Sequence, residues 1–375
     1  MKRLIKGAVR KALSLLPVKN AVMFESAPDL SDNTRAVFDE MLRRGMNEKY
    51  KLIWLIKGEA PADLASLKNV KFIKYGSKRL PLVKRMTKCF ICCNDWLSTL
   101  RQGQTSFYLS HGTTIKKLKG YYTVPEEMDY CLAASVGVVE LCEREFEVAR
   151  RKIFALGFPR NDVLTNEDRD LKELFPDCDF EKAVVWYPTY RQHSNGNVVG
   201  KGNPLPIIHD SEKAKELNAY AAENRVLIVL KPHFAQDISY MKSEPLSNIR
   251  FIDDSFFAKN AITSYEFVGS CSALITDYSS IYYDYTLCDR PIALVWEDYE
   301  DYKENPGFAD GVEEFLEGGE KVYDLSDFKE FIGRVSRGED AMREKRNAVC
   351  SAVNYSKDGE NSKRVVDFII EKAGL

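Results

Sequence analysis

The chain has 375 residues, of which 45% are apolar and 29% charged, a composition that excludes a mainly disordered protein. This length predicts two domains of ordinary size. The 54 basic and 56 acidic residues leave a formal charge of −2, so no overall field attracts nucleic acid and any recognition of a polyanion must be local.

The first residues, MKRLIKGAVRKALSLLPVK, predict an amphipathic helix that lies on an anionic membrane surface. Apolar side chains occupy one half of the helical wheel and basic side chains the other, and Pro17 ends the helix. Charges interrupt the apolar residues too often for a secretion signal, and the segment is too short to span a bilayer. The alternative is a helix packed on its own domain. The side chains expected to contact the membrane are Lys2, Arg3, Lys6, Arg10 and Lys11.

Strand-like and helix-like segments alternate along the rest of the chain. The first series of strands is AVMFES, KLIWLIKG, KFIKY, CFICCND, TSFYLSHG, YCLAAS and KIFALGF, and its clearest helices are SDNTRAVFDEMLRRG and VGVVELCEREFEVARR. An acidic stretch, TNEDRDLKELFPDCDFEK, precedes a second series of AVVWYPTYR, RVLIVLKPH, IRFID, CSALITDY and PIALVWED. This pattern predicts an α/β protein with two doubly wound, Rossmann-like domains of mostly parallel strands that face each other across a cleft.

The composition shifts also predict the domain boundaries. We expect the amphipathic helix over 1–18, an acceptor-side domain over 19–178 and a donor-binding domain over 179–350. A C-terminal helix occupies 351–375, and its return to the first domain is left open.

The nine cysteines predict buried thiols, because their number is odd and most lie in apolar runs. The CxxC in CFICC lies in a strand-like run, where residues three apart point to opposite faces. We interpret DCD at 177–179 as part of a loop. The GxxxGxG motif in the second half of the chain does not follow a strand, as a dinucleotide-binding site requires, so it is weak evidence for such a site. The sequence therefore predicts neither a metal nor a cofactor.

Polar residues follow four of the predicted strands at the point where each strand ends. These residues are His111, Arg191, His233 and Asp277. Ligands of doubly wound sheets bind beyond the carboxyl ends of the strands. The four positions therefore predict where the ligand sites lie.

Each short motif around these positions has an ordinary structural explanation when it is taken alone. SHGTTIKKLKG, residues 110–120, combines an imidazole with three lysines, which a solvated surface could also hold. ALITDYSSIYYDY, residues 273–285, places two serines at the start of a helix, where they could bind phosphate or only cap the helix. GFPRNDVL, residues 157–164, reads as a turn followed by a helix cap.

Together the motifs resemble the CDP-glycerol glycerophosphotransferase family, the teichoic acid primases and polymerases of Gram-positive bacteria. HGTTIK, GFPRND, PTYR, KPHF, TDYSSIYYD and RPIALVWEDYEDY appear in the order typical of that family, over about residues 105–310. Thr114 and Phe234 stand where the family usually has proline, which affects loop geometry more than chemistry.

The resemblance implies a two-domain GT-B arrangement and a transfer in which an acceptor hydroxyl attacks the β-phosphorus of CDP-glycerol and CMP leaves. His111 would be the general base and His233 would donate to a phosphate oxygen on the donor side, and the reverse assignment stays open. The lysines near the acceptor or phosphate would be Lys116, Lys117 and Lys119. Donor contacts would come from Gly112, Thr113, Arg160, Asn161, Asp162, Thr189, Arg191, Lys231, Asp277, Ser279, Ser280 and Asp284.

The acceptor implied by the resemblance is a lipid-linked disaccharide or a growing glycerol phosphate chain, reached from the cytoplasmic face of the cell membrane. CDP-ribitol is an alternative donor, because these motifs do not touch the hydroxyls that distinguish the two polyols. Two further alternatives are a GT-B glycosyltransferase that uses a nucleotide sugar and a non-catalytic, membrane-docked binding protein.

Overall fold

A computed structural model of the protein describes residues 16–166, 169–189, 205–232 and 238–375. The described residues form two α/β units. Unit 1 takes its residues from Met1–Thr113, Lys119–Asp162 and Asp358–Leu375, and unit 2 from Thr114–Leu118 and Val163–Lys357. The chain thus changes unit after Asp162, ahead of the boundary predicted after residue 178. The predicted membrane residues Lys2, Arg3, Lys6, Arg10 and Lys11 lie outside the described residues.

Unit 1 contains a seven-stranded sheet in the order β3-β2-β1-β4-β5-β6-β7, and every pairing in it is parallel. Its strands are β1 Lys19–Glu25, β2 Lys51–Ile56, β3 Val70–Lys74, β4 Thr87–Cys92, β5 Thr105–Tyr108, β6 Tyr130–Ala133 and β7 Ile153–Ala155. The strand order reverses between β1 and β4, which makes that point the topological switch of the sheet. The inner strands are nearly continuous apolar runs because helices and loops cover both faces of a parallel sheet.

Unit 2 contains a six-stranded parallel sheet in the order β10-β9-β8-β11-β12-β13, with its switch point between β8 and β11. Its strands are β8 Lys182–Trp186, β9 Val226–Leu230, β10 Ile249–Phe251, β11 Ala273–Thr276, β12 Ile292–Val295 and β13 Glu320–Val322. The predicted fold class of two parallel-sheet α/β domains is confirmed. The last strand was not predicted, because three residues give too short a pattern to recognise.

The described α-helices fall between these strands and after the last one. In chain order they are α1 Asp32–Arg43, α2 Ala62–Ala65, α3 Leu80–Met86, α4 Val139–Glu145, α5 Ser211–Glu223, α6 Ser239–Lys242, α7 Asp254–Lys259, α8 Ser264–Ser270, α9 Ile281–Tyr285, α10 Tyr299–Glu304, α11 Leu325–Arg337, α12 Arg343–Val353 and α13 Asn361–Ala373. The long helix predicted over VGVVELCEREFEVARR is instead the short α4, because Glu147 adopts a left-handed φ of 50° that interrupts it. In the described part of the chain, none of the helices is both long and apolar enough to cross a bilayer.

The last helix, α13, belongs to unit 1. The ring of Phe368 stacks on Phe154 with 4.3 Å between centroids and meets Tyr130 edge-on at 5.4 Å. Ile369 is fully buried on the same helix, and Arg44, which directly follows α1, pairs with Asp367. The end of the sequence therefore completes the core of unit 1.

All nine cysteines lie within the described residues, and none forms a disulfide. Seven are buried and the other two are partly exposed. Burial raises the pKa of Cys89, Cys92 and Cys93 above the ordinary thiol value, so these thiols stay protonated at neutral pH.

Replacing Ile369 by alanine should destabilise unit 1, because it leaves a cavity beneath α13. We expect a loss of about 3 kcal/mol in the free energy of unfolding. Glu371→Ala on the exposed face of the same helix is the matched control and should change it by less than about 0.5 kcal/mol. Urea unfolding of the two variants measures both values, and equal stabilities would contradict the assigned role of α13.

Candidate functional site

His111 follows β5 at the carboxyl edge of the unit 1 sheet. Its side chain is exposed, and its Nδ1 lies 3.3 Å from the carbonyl oxygen of Cys93. Because a carbonyl oxygen only accepts, Nδ1 carries the proton in this contact, and Nε2 of the neutral ring keeps its lone pair. The arrangement suits a group that takes a proton from a hydroxyl.

The backbone of His111 is held by Arg160 from the GFPRND motif. The Arg160 side chain is only 8% exposed, and its Nη1 donates to the carbonyl oxygen of His111 at 2.9 Å and to Asp32 Oδ1 at 2.7 Å. Asn33 accepts from the Arg160 N–H at 3.1 Å and donates to the Ser110 carbonyl oxygen at 3.0 Å. These contacts tie the start of α1 to the loop that carries the imidazole. They give Arg160 a positioning role, and its contact with the donor stays a prediction.

Asp162 of the same motif caps α13. Its carboxylate accepts from the backbone N–H groups of Asn361 at 2.8 Å and Ser362 at 2.7 Å, which would otherwise lack partners at a helix start. Burial raises the pKa of Asp162, although these donors partly oppose the change. Gly157 is required in this junction because it has φ +84° and an added Cβ would lie 2.1 Å from Asn361 Oδ1.

Asp162 therefore acts as a helix cap in the structure, and its contact with the donor stays a prediction. Asn161, between Arg160 and Asp162, is also buried, with 1% of its surface exposed. The alternative explanation of GFPRND as a turn and a helix cap fits Asp162. The hydrogen bond from Arg160 to the backbone of His111 was not predicted.

The three predicted lysines are divided between the two units. Lys116 belongs to unit 2, where its short segment forms an antiparallel bridge with Phe308, and Lys117 is exposed next to it. Lys119 belongs to unit 1, and its backbone N–H donates to Glu145 Oε2 at 3.2 Å. Of the residues that precede them, Gly112 and Thr113 are buried.

Asp277 joins two strands at the switch point of unit 2. It follows β11, is fully buried, and accepts from the Thr189 N–H with both carboxylate oxygens, at 3.0 and 2.9 Å. It also accepts from the Tyr278 N–H at 2.6 Å. Asp277 therefore fixes the loop after β8 against the loop after β11.

Ser279 and Ser280 are half-buried residues directly before α9. Ser280 has helical dihedral angles and its hydroxyl does not cap the helix, so the ordinary capping explanation does not apply to its side chain. Further along, Asp284 is 1% exposed and accepts from the Tyr265 hydroxyl at 2.6 Å, which makes it a brace for this loop.

Lys231 supplies positive charge at the same edge of the unit 2 sheet. It follows β9, and its Nζ lies 3.1 Å from Asp254 Oδ1 and 5.9 Å from the centre of the Tyr187 ring. The Asp254 side chain is 79% exposed, so water screens this ion pair strongly. A diphosphate can therefore compete for Lys231. Two further predicted residues of this edge, Arg191 and His233, lie outside the described residues.

Sequence reasoning missed Glu25, Asn33 and Tyr265. Glu25 ends β1 and is fully buried at the switch point of unit 1. The signal for it was present, because an acidic residue that ends an apolar strand obeys the rule that selected Asp277. Asn33 and Tyr265 act through contacts between distant segments, for which the sequence has no local pattern.

The cap on α13 gives a stability prediction. Asp162→Ala should lower the free energy of unfolding by about 1 kcal/mol, because two N–H groups lose their acceptor. Glu360→Ala is the matched control, since Glu360 directly precedes the helix and its side chain makes no capping hydrogen bond. Thermal unfolding of both variants checks this, and a cost at Glu360 as large as that at Asp162 would refute the cap.

The sequence of the chain is similar to those of known proteins. A teichoic acid glycerol-phosphate transferase of Staphylococcus aureus (strain NCTC 8325 / PS 47) is 24% identical over 340 residues, which cover 80% of this chain and 81% of that protein. A teichoic acid ribitol-phosphate primase of Bacillus spizizenii (strain ATCC 23059 / NRRL B-14472 / W23) is 23% identical over 252 residues, which cover 66% of this chain and 60% of that protein. The chain thus spans less than two thirds of the primase.

Two solved structures share the fold. The wall teichoic acid polymerase TagF has a TM-score of 0.73 at 21% identity, with 99% of this chain and 96% of that chain covered. A histidine-to-asparagine variant of that polymerase with CDPG from a 15-minute soak has the same TM-score at 20% identity and the same coverage. A model of the CDP-Glycerol:Poly(glycerophosphate) glycerophosphotransferase family matches residues 9–371, and the chain therefore belongs to that family.

Proposed function

We propose that this protein transfers glycerol phosphate from CDP-glycerol to a lipid-linked acceptor in the synthesis of a teichoic acid, with release of CMP. The observation that carries this proposal is the location of the family's histidine and aspartate motifs. His111 and Asp277 follow β5 and β11 at the carboxyl edges of two doubly wound sheets, where such folds bind ligands. CDP-ribitol is the second candidate donor, because relatives named for glycerol phosphate and for ribitol phosphate match the chain about equally well.

Unit 2 supplies the donor-binding groups in this proposal. Lys231 after β9 offers a positive charge for which a diphosphate can compete with the exposed Asp254. The serines before α9 offer hydroxyl groups at the same carboxyl edge, after β11, with β8 between the two strands. Arg191 and His233 would complete the set. Phosphoryl transfer depends mainly on such positioning and charge neutralisation.

His111 is the proposed general base. Its Nε2 takes the proton of the acceptor hydroxyl while that oxygen forms a bond to the β-phosphorus. The bond between the β-phosphorus and the bridging oxygen breaks, and CMP leaves with that oxygen. His233 would donate to a phosphate oxygen as charge develops on CMP.

His111→Ala should lower the rate of CMP release from CDP-glycerol by about 100-fold or more, because it removes the base. His209→Ala is the matched control, since His209 is an exposed histidine that pairs with Glu297 at 2.9 Å and has no part in the proposal. The assay uses a panel of lipid-linked acceptors and runs CDP-ribitol in parallel. A folded His111→Ala protein with wild-type turnover would show that His111 is not the general base.

The same panel separates the remaining alternatives. Turnover with CDP-ribitol but not with CDP-glycerol would identify ribitol phosphate as the transferred group. Binding of UDP-sugars without binding of CDP-polyols would indicate a glycosyltransferase. Donor binding with no CMP release from any acceptor would indicate a non-catalytic protein.

We also propose that the protein docks on the anionic cytoplasmic face of the cell membrane. Between Asp63 and Asp95 the chain has no acidic residue and carries the basic residues Lys68, Lys71, Lys74, Lys78, Arg79, Lys84, Arg85 and Lys88. In this stretch α3 has no buried residue, and Leu82 is 40% exposed among these cations. A basic surface with an exposed leucine favours an anionic bilayer over bulk water.

The predicted anchor over residues 2–16 would enter unit 1 beside α3. Arg101 donates to the carbonyl oxygen of Leu16, and Lys19 at the start of β1 is in register with Thr87, which directly follows α3. Neighbouring strands lie about 4.8 Å apart. The anchor and α3 would then meet the membrane at one edge of the unit.

Deleting residues 2–16 should reduce co-sedimentation with phosphatidylglycerol vesicles, and neutralising α3 in that background should reduce it further. The α3 variant replaces Lys78 and Arg79, which directly precede the helix, and Arg85 within it: Lys78→Gln, Arg79→Gln and Arg85→Gln. About 1 kcal/mol is expected for each cation that faces the lipid. A triple control in unit 2, Lys182→Gln, Lys345→Gln and Lys357→Gln, changes the net charge equally and should have little effect. Equal losses from the two triple variants would reject α3 as a membrane contact.

A further inference from the structure

Glu25 is a buried carboxylate that the proposed chemistry does not use. It is the last residue of β1, is fully buried, and lies beside β4 at the switch point of unit 1. Burying an ionisable group is costly unless polar partners compensate. The identity of those partners therefore indicates what the residue does.

The carboxylate of Glu25 has partners in the turn that follows β4 and in Tyr75, which directly follows β3. The backbone N–H of Asn94 donates to Oε2 at 3.0 Å. The hydroxyl of Tyr75 lies 3.4 Å from Oε1. Burial raises the pKa of Glu25, and the N–H donors act in the opposite direction. The side chain of Glu25 thus binds a backbone donor of this turn.

The same turn holds His111. The Cys93 carbonyl oxygen accepts from Nδ1 at 3.3 Å, and the Asn94 carbonyl oxygen accepts from the Tyr122 hydroxyl at 3.4 Å. The Tyr122 ring meets the imidazole edge-on, with 6.2 Å between centroids. Glu25 also accepts from the Cys93 N–H at its own carbonyl, at 3.2 Å. One residue therefore contacts the turn from both its backbone and its side chain.

We propose that Glu25 is a positioning residue for His111. By holding the turn over residues 93–95, it keeps the Cys93 carbonyl oxygen against Nδ1 and leaves the Nε2 lone pair to accept a proton. The catalytic consequence rests on the proposed function of His111, whereas the effect on the imidazole tautomer does not.

The tautomer can be read without any substrate. In the ¹⁵N-labelled full chain, four histidines give few ring signals, and His111→Ala assigns those of His111. The wild-type neutral ring should carry its proton on Nδ1. Glu25→Gln leaves one acceptor oxygen where the carboxylate has two and places an NH₂ group at the other position, so the hold on the turn weakens and the His111 signals should move toward the Nε2–H form. An unchanged Nδ1–H signal in Glu25→Gln would overturn the proposal.

Glu40→Gln is the matched control. Glu40 is a carboxylate of unit 1 that is 8% exposed and pairs with Arg43 and Arg44 on α1, away from the turn. The same chemical change there should leave the His111 signals and the rate unaltered. If Glu25→Gln does not fold, Tyr75→Phe removes one partner of the same carboxylate and should move the His111 signals in the same direction by less.

Kinetics test the catalytic half. Glu25→Gln should lower kcat for CMP release by about tenfold or more, with little change in the KM for the CDP-polyol, because it disturbs the base and not the donor site. In the His111→Ala background the same substitution should cause no further loss, since both changes act through one imidazole. Full additivity would overturn the positioning role. Absence of activity in the wild type with every CDP-polyol would instead defeat the proposed function and leave the tautomer result standing.

Discussion

The hydrogen bond from the buried Arg160 guanidinium to the carbonyl oxygen of His111 is the contact on which the unit 1 site depends. It joins residues far apart in the sequence, and Asp32 supplies the compensating charge at 2.7 Å. A buried cation without such a partner would be too costly to keep. The site is therefore built on an ion pair whose geometry is fixed by the core around it.

Unit 2 reaches a similar result with a carboxylate. Asp277 accepts from backbone N–H groups on two loops, and so fixes the loop after β8 against the loop after β11. The buried carboxylate at the reversal of strand order is Glu25 in unit 1, where it accepts from the turn after β4, and Asp277 in unit 2. The two loops at such a point run in opposite directions away from each other, which opens a crevice that neighbouring loops do not fill. A buried charge that ties these loops therefore also defines the shape of the ligand crevice.

The parallel sheets could be predicted because long apolar runs alternated with helical patterns, and the family could be predicted because six motifs occurred in one order. The roles inside the motifs could not. From the sequence alone, Asp162 could equally be a ligand contact or a helix cap. Its role as a cap depends on Asn361 and Ser362, about two hundred residues later in the chain. Glu25 was visible as an acidic strand end, but its importance depends on the turn after β4. The short β13 and the interruption after α4 were missed because each depends on only a few residues.

Burial divides the charged residues of the motifs into two groups. Arg160, Asp277 and Asp284 are nearly inaccessible, and their hydrogen bonds to protein groups occupy them. A ligand could reach them only by displacing bonds that are strong because water is excluded. His111 and Lys231 are accessible, and water already weakens the ion pair of Lys231. The accessible groups are thus the ones that can exchange a protein or solvent partner for a ligand at small cost, and the buried groups determine where those accessible groups lie.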